Sequence, residues 1–507
     1  MTVPHPTDAF VGRKQELARL ERALNGVRRT GRGCLMSMRG RRRVGKSRLV
    51  EELIQRSGCQ SVFYTAVQGP GPQELERFLE TIARSDAPAG ADVRAGAGAS
   101  SWEAALALAA RDASTAEPII VVIDELPYLV TKEPTIEAVL QLLWDRTFQR
   151  QAVLVILVGS DRATMEALTE EGRPLYDRAR EMIVKPLAPS MIGEMLDLPA
   201  AEALDAYTII GGFPVLALEW GRGRTREDYL GEALTDPSSF LVVSAEKTLA
   251  AELPIEAQAR AVLSAIGADA RAHKAILART GLPQTSLDRA IDVLLAKGIV
   301  ERLEPYSAKP SPKNRQYVVS DPYLRFWLRF VAGEIDTIDR GRGELILANV
   351  QQSWSAFRGR AIEPIIRDAI EQLLPDERFG AARHAGGYWN RNNSIEVDLV
   401  GGDKHPTAER IDFIGSIKWR NEQPFDRRDG TALAAKLPSV PGTSTSTKLL
   451  GVSRQGFKRD SGVEIEIGPK EIIAAYGRPR GEADSCDSRS GKRYAATCRR
   501  TRPAPDL

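Results

Sequence analysis

From residue 10 to residue 215 short β-branched runs alternate with amphipathic stretches, the pattern of a parallel sheet covered by helices. The strands it predicts are Cys34–Arg39, Ser61–Val67, Ile119–Asp124, Val153–Ser160 and Met182–Lys185. Leu17, Leu20 and Leu24 mark one helical face ahead of the first strand. The Ala/Gly-rich stretch from Ala87 to Ser101 reads as a mobile surface loop. A helical connector follows from about Leu230 to Pro254, and residues 257–332 then read as three short helices and a hairpin. Arg271–Arg279 is the middle helix, Gly281-Leu282-Pro283 the turn and Gln284–Lys297 the next helix, with Leu287, Ile291, Leu294 and Leu295 on its buried face and Gly298 as the stop. Strands Ile299–Leu303 and Gln316–Ser320, joined by the loop SAKPSPKNR, complete a winged-helix pattern. Residues 353–477 form a further α/β unit: helix Arg360–Leu374 and strands around Ile395–Val400, Ile411–Trp419 and Lys448–Val452. Past Gly477 apolar periodicity stops, which predicts a disordered basic tail.

The expected units are therefore 8–190, 191–254, 255–332, 353–477 and the tail 478–507, in line with about 100–200 residues per domain for a chain of 507. A hydrophobic share of 43% and a charged share of 27% exclude wholesale disorder and fibrous repeats. Net charge is only +3, and eight Lys/Arg against four Asp/Glu fall in the tail, so a polyanion has to be met by a local patch. Cys34, Cys59, Cys486 and Cys498 show neither a disulfide framework nor metal-ligand spacing. No apolar run approaches the roughly 18 residues needed to cross a bilayer, so a cytoplasmic protein with reduced thiols and no membrane partner is expected.

The informative chemistry begins at Gly40-Arg41-Arg42-Arg43-Val44-Gly45-Lys46-Ser47, which matches GxxxxGK[ST] after a strand and at the start of a helix. In such a loop backbone N–H groups cradle phosphates, Lys46 reaches the β- and γ-phosphates of ATP, and the Ser47 hydroxyl ligates Mg²⁺. Ile119 to Glu125 is an apolar strand ending in two carboxylates: Asp124 for the magnesium shell and Glu125 to polarise the attacking water. Strand Val153–Val158 ends in Gly159-Ser160, which makes Ser160 the sensor candidate.

Together with Phe10-Val11-Gly12-Arg13, IDELPYL and Gly211-Gly212-Phe213-Pro214, these motifs resemble the archaeal-type AAA+ ATPases, close to the signal-transduction ATPases, over roughly residues 10–220. The resemblance implies an additional-strand P-loop fold, an adenine pocket lined by Phe10, Val11 and Gly12, and a lid helix beginning at Pro214. Relatives place a basic residue where Arg178 stands, which is open between an arginine finger and a surface salt bridge.

The winged-helix region, including Ser320 to Trp327, also resembles those that follow such cores. Its exposed cations Arg289, Lys309, Lys313 and Arg315 are the candidates for DNA phosphate contacts, weighed evenly against pure scaffolding. Residues 355–455 resemble a restriction-endonuclease-like domain, whose acid, Asp and acid-x-Lys positions read Glu363, Asp398, Ser416 and Lys418. Ser416 stands where a second carboxylate is needed to anchor Mg²⁺, and neither Asp412 nor Glu396 replaces it in place, so the site reads as degenerate. The leading function is an ATP-hydrolysing molecular switch with an unidentified protein partner. The rivals are an ATP-regulated nuclease of a mobile or defence element, and a nucleotide-binding regulator with negligible turnover.

Overall fold

The computed structural model describes residues 10–253, 256–309 and 314–477, so Lys313 and the tail past Gly477 lie outside the described residues. Strands β1 (Cys34–Arg39), β2 (Ser61–Thr65), β3 (Ile119–Asp124), β4 (Val153–Gly159) and β5 (Ala179–Ile183) pair in parallel in the order β2-β3-β4-β1-β5. Every residue of β3 and β4 is buried, as near-continuous apolar runs covered on both faces require. β4 separates β1 from β3, so this is an additional-strand P-loop sheet in which the phosphate loop and the two carboxylates project from the same end.

Two expectations need correction here. The last strand begins at Ala179 rather than Met182, because this edge strand is exposed along most of its length and carries little apolar signal. The Ala/Gly-rich stretch is not a loop throughout: Pro88–Arg94 is helical, and Ala87, Ala89 and Gly90 are buried. Small residues serve a close turn against the preceding helix Gly71–Arg84; a Cβ on Gly90 would meet the Ile82 carbonyl oxygen at 2.8 Å.

Helices Pro189–Leu196, Ala200–Ile210 and Pro214–Trp220 occupy the place of the expected lid, and are called the lid below; Arg226–Ala233 and Phe240–Glu252 follow. Among the described residues no single helix is long and apolar enough to cross a membrane. The next region holds helices Ala257–Ile266, His273–Thr280 and Gln284–Ala296 with an antiparallel sheet of β6 (Arg271–Ala272), β7 (Val300–Leu303) and β8 (Gln316–Val319) in the order β6-β8-β7. Helix Pro322–Phe330, the junction helix, leads out of it. One apolar core runs from Leu20 of the first helix through Ile209 of the lid and Leu294 to Trp354, so the boundaries near 190, 254 and 332 do not separate independent cores.

Residues 333–352, left unassigned by the pattern, contain helix Ile335–Asp339 and most of a long helix, Gly343–Ala361. The expected helix Arg360–Leu374 is instead Glu363–Leu373, because Pro364 is tolerated only in a first turn and so marks a new start after Ile362. The final sheet contains β9 (His384–Trp389), β10 (Glu396–Gly402), β11 (Ile411–Lys418), β12 (Lys448–Ser453) and β13 (Ile465–Ile467), in the order β13-β12-β11-β10-β9. Pairing is antiparallel from β9 to β11 and parallel from β11 to β13. Neither β9, with two internal glycines, nor β13, with three residues, carries a readable period.

Candidate nucleotide site

The phosphate loop turns at Gly45, whose φ of 89° precedes helix Lys46–Ser57. A Cβ there would have room, 3.6 Å from Pro214, so the backbone angle rather than space asks for glycine. Lys46 is 6% exposed, and its ammonium donates to the carbonyls of Gly40 at 2.9 Å and Arg41 at 3.0 Å. Burial pulls its pKa down, with Glu125 and Asp124 pulling back. Ser47 donates its hydroxyl to Asp124 Oδ2 at 2.7 Å, and the Glu125 amide donates to Asp124 Oδ1 at 2.9 Å. Burial raises the Asp124 pKa, and the Ser47 hydrogen bond opposes it. Glu125 sits at φ 51°, a left-handed conformation uncommon for a side-chain-bearing residue, and its Oε2 accepts from the Ser160 hydroxyl at 2.8 Å. Five residues singled out from sequence thus converge from β1 and its helix, β3 and β4. The Ser47 hydroxyl and Asp124 carboxylate are hard oxygen donors already side by side, a set that fits magnesium.

The segment before the first helix reaches the same loop. Phe10 lies under the guanidinium groups of Arg48 and Arg56 at 5.8 and 5.9 Å, and Gly12, at φ 74°, abuts Met191 of the lid. Buried Arg13, named from sequence only as the last residue of a motif and given no role there, donates to the Val44 carbonyl at 2.8 Å and so ties this segment, including Val11, to the phosphate loop. Arg178 forms a two-armed ion pair with Asp145, both contacts 2.9 Å, on the surface of the domain.

The three loop arginines reach outward to separate elements. Arg41 pairs with Asp321 at 2.9 Å, Arg42 hydrogen-bonds the Tyr128 hydroxyl, and Arg43 hydrogen-bonds Ser244. The pairing of Arg41 with Asp321 and of Arg43 with Ser244 leaves no local signature, since the contacts span 280 and 201 residues.

In the C-terminal sheet Asp398 Oδ2 accepts from Ser416 Oγ at 3.2 Å and from the Ile417 amide at 2.7 Å. Arg367, one turn beyond Glu363, pairs with it at 3.0 Å and donates to the Asp398 carbonyl at 2.8 Å. A guanidinium therefore stands among the acids, and Ser416 brings a neutral hydroxyl. Among the described residues no group of three or more His, Cys, Asp or Glu is arranged to hold a metal ion. Lys418 follows Ser416 on the same strand face. The i,i+4 spacing of Glu363 and Arg367 is the signal that could have found this pair in the sequence.

Burial pushes the Glu363 carboxyl up to about 7, with Arg367 opposing and Asp398 and Glu396 adding. The folded form then binds a proton more tightly than the unfolded chain, so stability falls as pH rises from the ordinary carboxylate range through about 7. Raising pH from about 5 to about 8 is expected to shift the stability difference between wild type and Glu363→Gln in favour of the Gln variant. Urea unfolding at the two pH values checks this; a flat difference contradicts it.

The described parts of the loop between β7 and β8, residues 304–309 and 314–315, bond to the C-terminal domain. Tyr306 and Ala308 donate their amides to the carbonyls of Gly387 and Pro441 at 2.8 and 3.0 Å, and the Trp389 indole donates to the Asn314 carbonyl at 2.7 Å. Arg315 is paired with Glu304 at 2.8 Å, whereas Lys309 and Arg289 are exposed.

The sheet order, the glycine loop and the converged carboxylates define a P-loop ATPase core. Residues 10–219 match the family model described as an ATPase domain predominantly from Archaea, and residues 327–430 match one described as archaeal and bacterial proteins of unknown function. The chain therefore carries an archaeal-type ATPase domain followed by a domain of that second family. It is 21% identical over 426 residues to an uncharacterised protein of Methanocaldococcus jannaschii, covering 82% of this chain and 89% of that one. Among solved structures it is similar to a Walker-type ATPase of Pyrococcus abyssi, at 19% identity with 63% of this chain and 96% of that one covered and a TM-score of 0.44. It is also similar to the ORC2 protein of Aeropyrum pernix in ADPNP and ADP complexes, at 15% identity, 69% and 97% coverage and a TM-score of 0.45.

Proposed function

We propose that this protein is an ATP-binding and ATP-hydrolysing switch that passes its nucleotide state to the region 257–330 and to the C-terminal domain. The observation that carries this reading is the chain of contacts from Ser47 through Asp124 and Glu125 to Ser160. Lys46 and the loop amides hold the phosphates, Phe10, Val11 and Gly12 bound the adenine, and Pro214 starts a lid helix against Gly45. Ser47 and Asp124 hold magnesium, which neutralises charge on the β- and γ-phosphates when bound. Glu125 orients and polarises the attacking water, and Ser160 fixes the rotamer of Glu125. A regulator without turnover has no use for a carboxylate aimed in this way, so slow hydrolysis is the better reading.

We read region 257–330 as a winged helix used mainly as a packing module, since its hairpin loop bonds to the C-terminal sheet. Among the described residues any duplex contact then falls to Arg289 and Lys309. We read the C-terminal domain as restriction-endonuclease-like and degenerate, with Arg367 and Ser416 in place of a metal-binding set.

Turnover of ATP by the full chain, with and without plasmid DNA and with Mg²⁺ or Mn²⁺, tests these readings. ATP is expected to be hydrolysed while the plasmid stays intact with either metal. Plasmid cleavage lost in Asp398→Ala or Lys418→Ala would instead establish the nuclease. Ser416→Glu is expected to leave the plasmid intact as long as Arg367 remains.

A further inference from the structure

We propose that Asp321 is a positioning residue for the phosphate loop, contributed from outside residues 10–219; the proposal rests on the ATP-site reading given above. Asp321 lies in neither matched region, and its carboxylate is 6% exposed. Oδ2 accepts from Arg41 Nη1 at 2.9 Å. Oδ1 accepts from the amides of Tyr323 at 2.9 Å and Leu324 at 3.4 Å, capping the junction helix. The carboxylate is thus held to a rigid element by one oxygen and grips the loop with the other.

The grip bears on chemistry because of what else Arg41 does. It is the first variable residue of the loop, and its carbonyl accepts from Lys46 Nζ. Anchoring the Arg41 side chain therefore fixes one of the two acceptors that aim Lys46. The lid meets the same point: Gly211 has φ 56°, and a Cβ there would lie 3.1 Å from Asp321 Oδ1. Phosphate loop, lid turn and junction helix converge on a single carboxylate.

The junction helix has a second charged residue one turn on. Arg325 is buried, donates Nε to the Val319 carbonyl at 2.6 Å, and is within electrostatic reach of Glu301, Asp321, Arg367 and Glu363. The helix that Asp321 caps is therefore also the one whose charge lies near the C-terminal acids. This gives the position of the phosphate loop a physical route toward that domain.

Simple electrostatics and positioning predict opposite outcomes. Deleting a negative charge beside the loop, by field alone, strengthens binding of a polyanion. Loss of positioning weakens it. Asp321→Asn keeps an oxygen for the helix cap, so the fold is preserved while the ion pair is lost. In steady-state assays on the full chain, Asp321→Asn is expected to raise KM for ATP about tenfold and change kcat by less than about twofold, as expected when a binding group is misplaced and not removed. Arg41→Gln is expected to do the same, and the double variant to be no worse than either single one, because the two residues act through one contact.

Hydrogen exchange supplies an arm that does not require ATP. In the nucleotide-free protein the Gly40–Gly45 amides should exchange faster in Asp321→Asn, while β3 and β4 keep their protection. Unchanged or tighter ATP affinity in Asp321→Asn, additive effects in the double variant, or unchanged loop exchange overturns the proposal. If the wild-type chain fails to bind ATP, the nucleotide reading falls, and loop exchange alone still decides whether Asp321 positions the loop.

Discussion

Glu125→Gln is expected to lower ATP turnover by about a hundredfold or more while leaving the dissociation constant for ATP within about twofold. The amide keeps the size of the carboxylate and an oxygen for the Ser160 hydroxyl, so the φ 51° backbone and neighbouring contacts have no reason to change. What it loses is the basic oxygen that polarises water. Lys46→Ala acts one step earlier: it removes the buried ammonium bonded to the Gly40 and Arg41 carbonyls, and nucleotide binding itself should be lost. Fluorescent-nucleotide titration and phosphate release, measured on both variants, separate the two effects. Turnover by Glu125→Gln at the wild-type rate would remove Glu125 from its assigned role.

Asp205→Ala is expected to cost about 3–5 kcal/mol of stability and to loosen the C-terminal domain from the lid. Asp205 lies on lid helix Ala200–Ile210 and accepts from Arg358 at 3.0 Å, the Trp419 indole at 2.8 Å and Arg454 at 3.2 Å. The long helix and the C-terminal sheet thus meet the lid at one buried carboxylate. Arg358 is 1% exposed, its Nε has no hydrogen-bond partner among the described residues, and its Nη2 donates to the Trp419 carbonyl at 3.1 Å, so removing Asp205 leaves a buried guanidinium without its counter-charge. Burial lowers the Arg358 pKa, and Asp205 is the charge that opposes this. Urea unfolding followed by tryptophan fluorescence should show a lower midpoint, and limited proteolysis should release a C-terminal fragment earlier than in wild type. Asp205→Asn, which can still accept from Trp419, should cost less. An unchanged midpoint for the alanine variant would mean that Asp205 does not hold the two parts together.

The nucleotide site was readable because its geometry is local. Glycines at fixed spacing, a following helix and an apolar strand ending in Asp-Glu each dictate the position of a side chain within a few residues. Ser160 was readable for the same reason, as the residue just past a strand in a sheet whose order the motifs imply. Where local rules compete, legibility failed: small residues at Ala87, Ala89 and Gly90 serve a flexible loop and a tight helix contact equally well. Pro364 did mark the true helix start, but apolar periodicity running across Ile362 concealed it.

The sequence by itself determined the parallel sheet, the phosphate loop and the paired carboxylates, because each follows from neighbouring residue types and backbone geometry. Only the tertiary structure decided that Arg41 pairs with Asp321, that Arg367 stands between Glu363 and Asp398, that Arg178 belongs to Asp145, and that the β7–β8 loop is bonded to the C-terminal sheet. A charged side chain can be satisfied by any opposite charge or carbonyl within reach. Which one it meets depends on how distant elements pack, and that packing leaves no period or spacing in the chain.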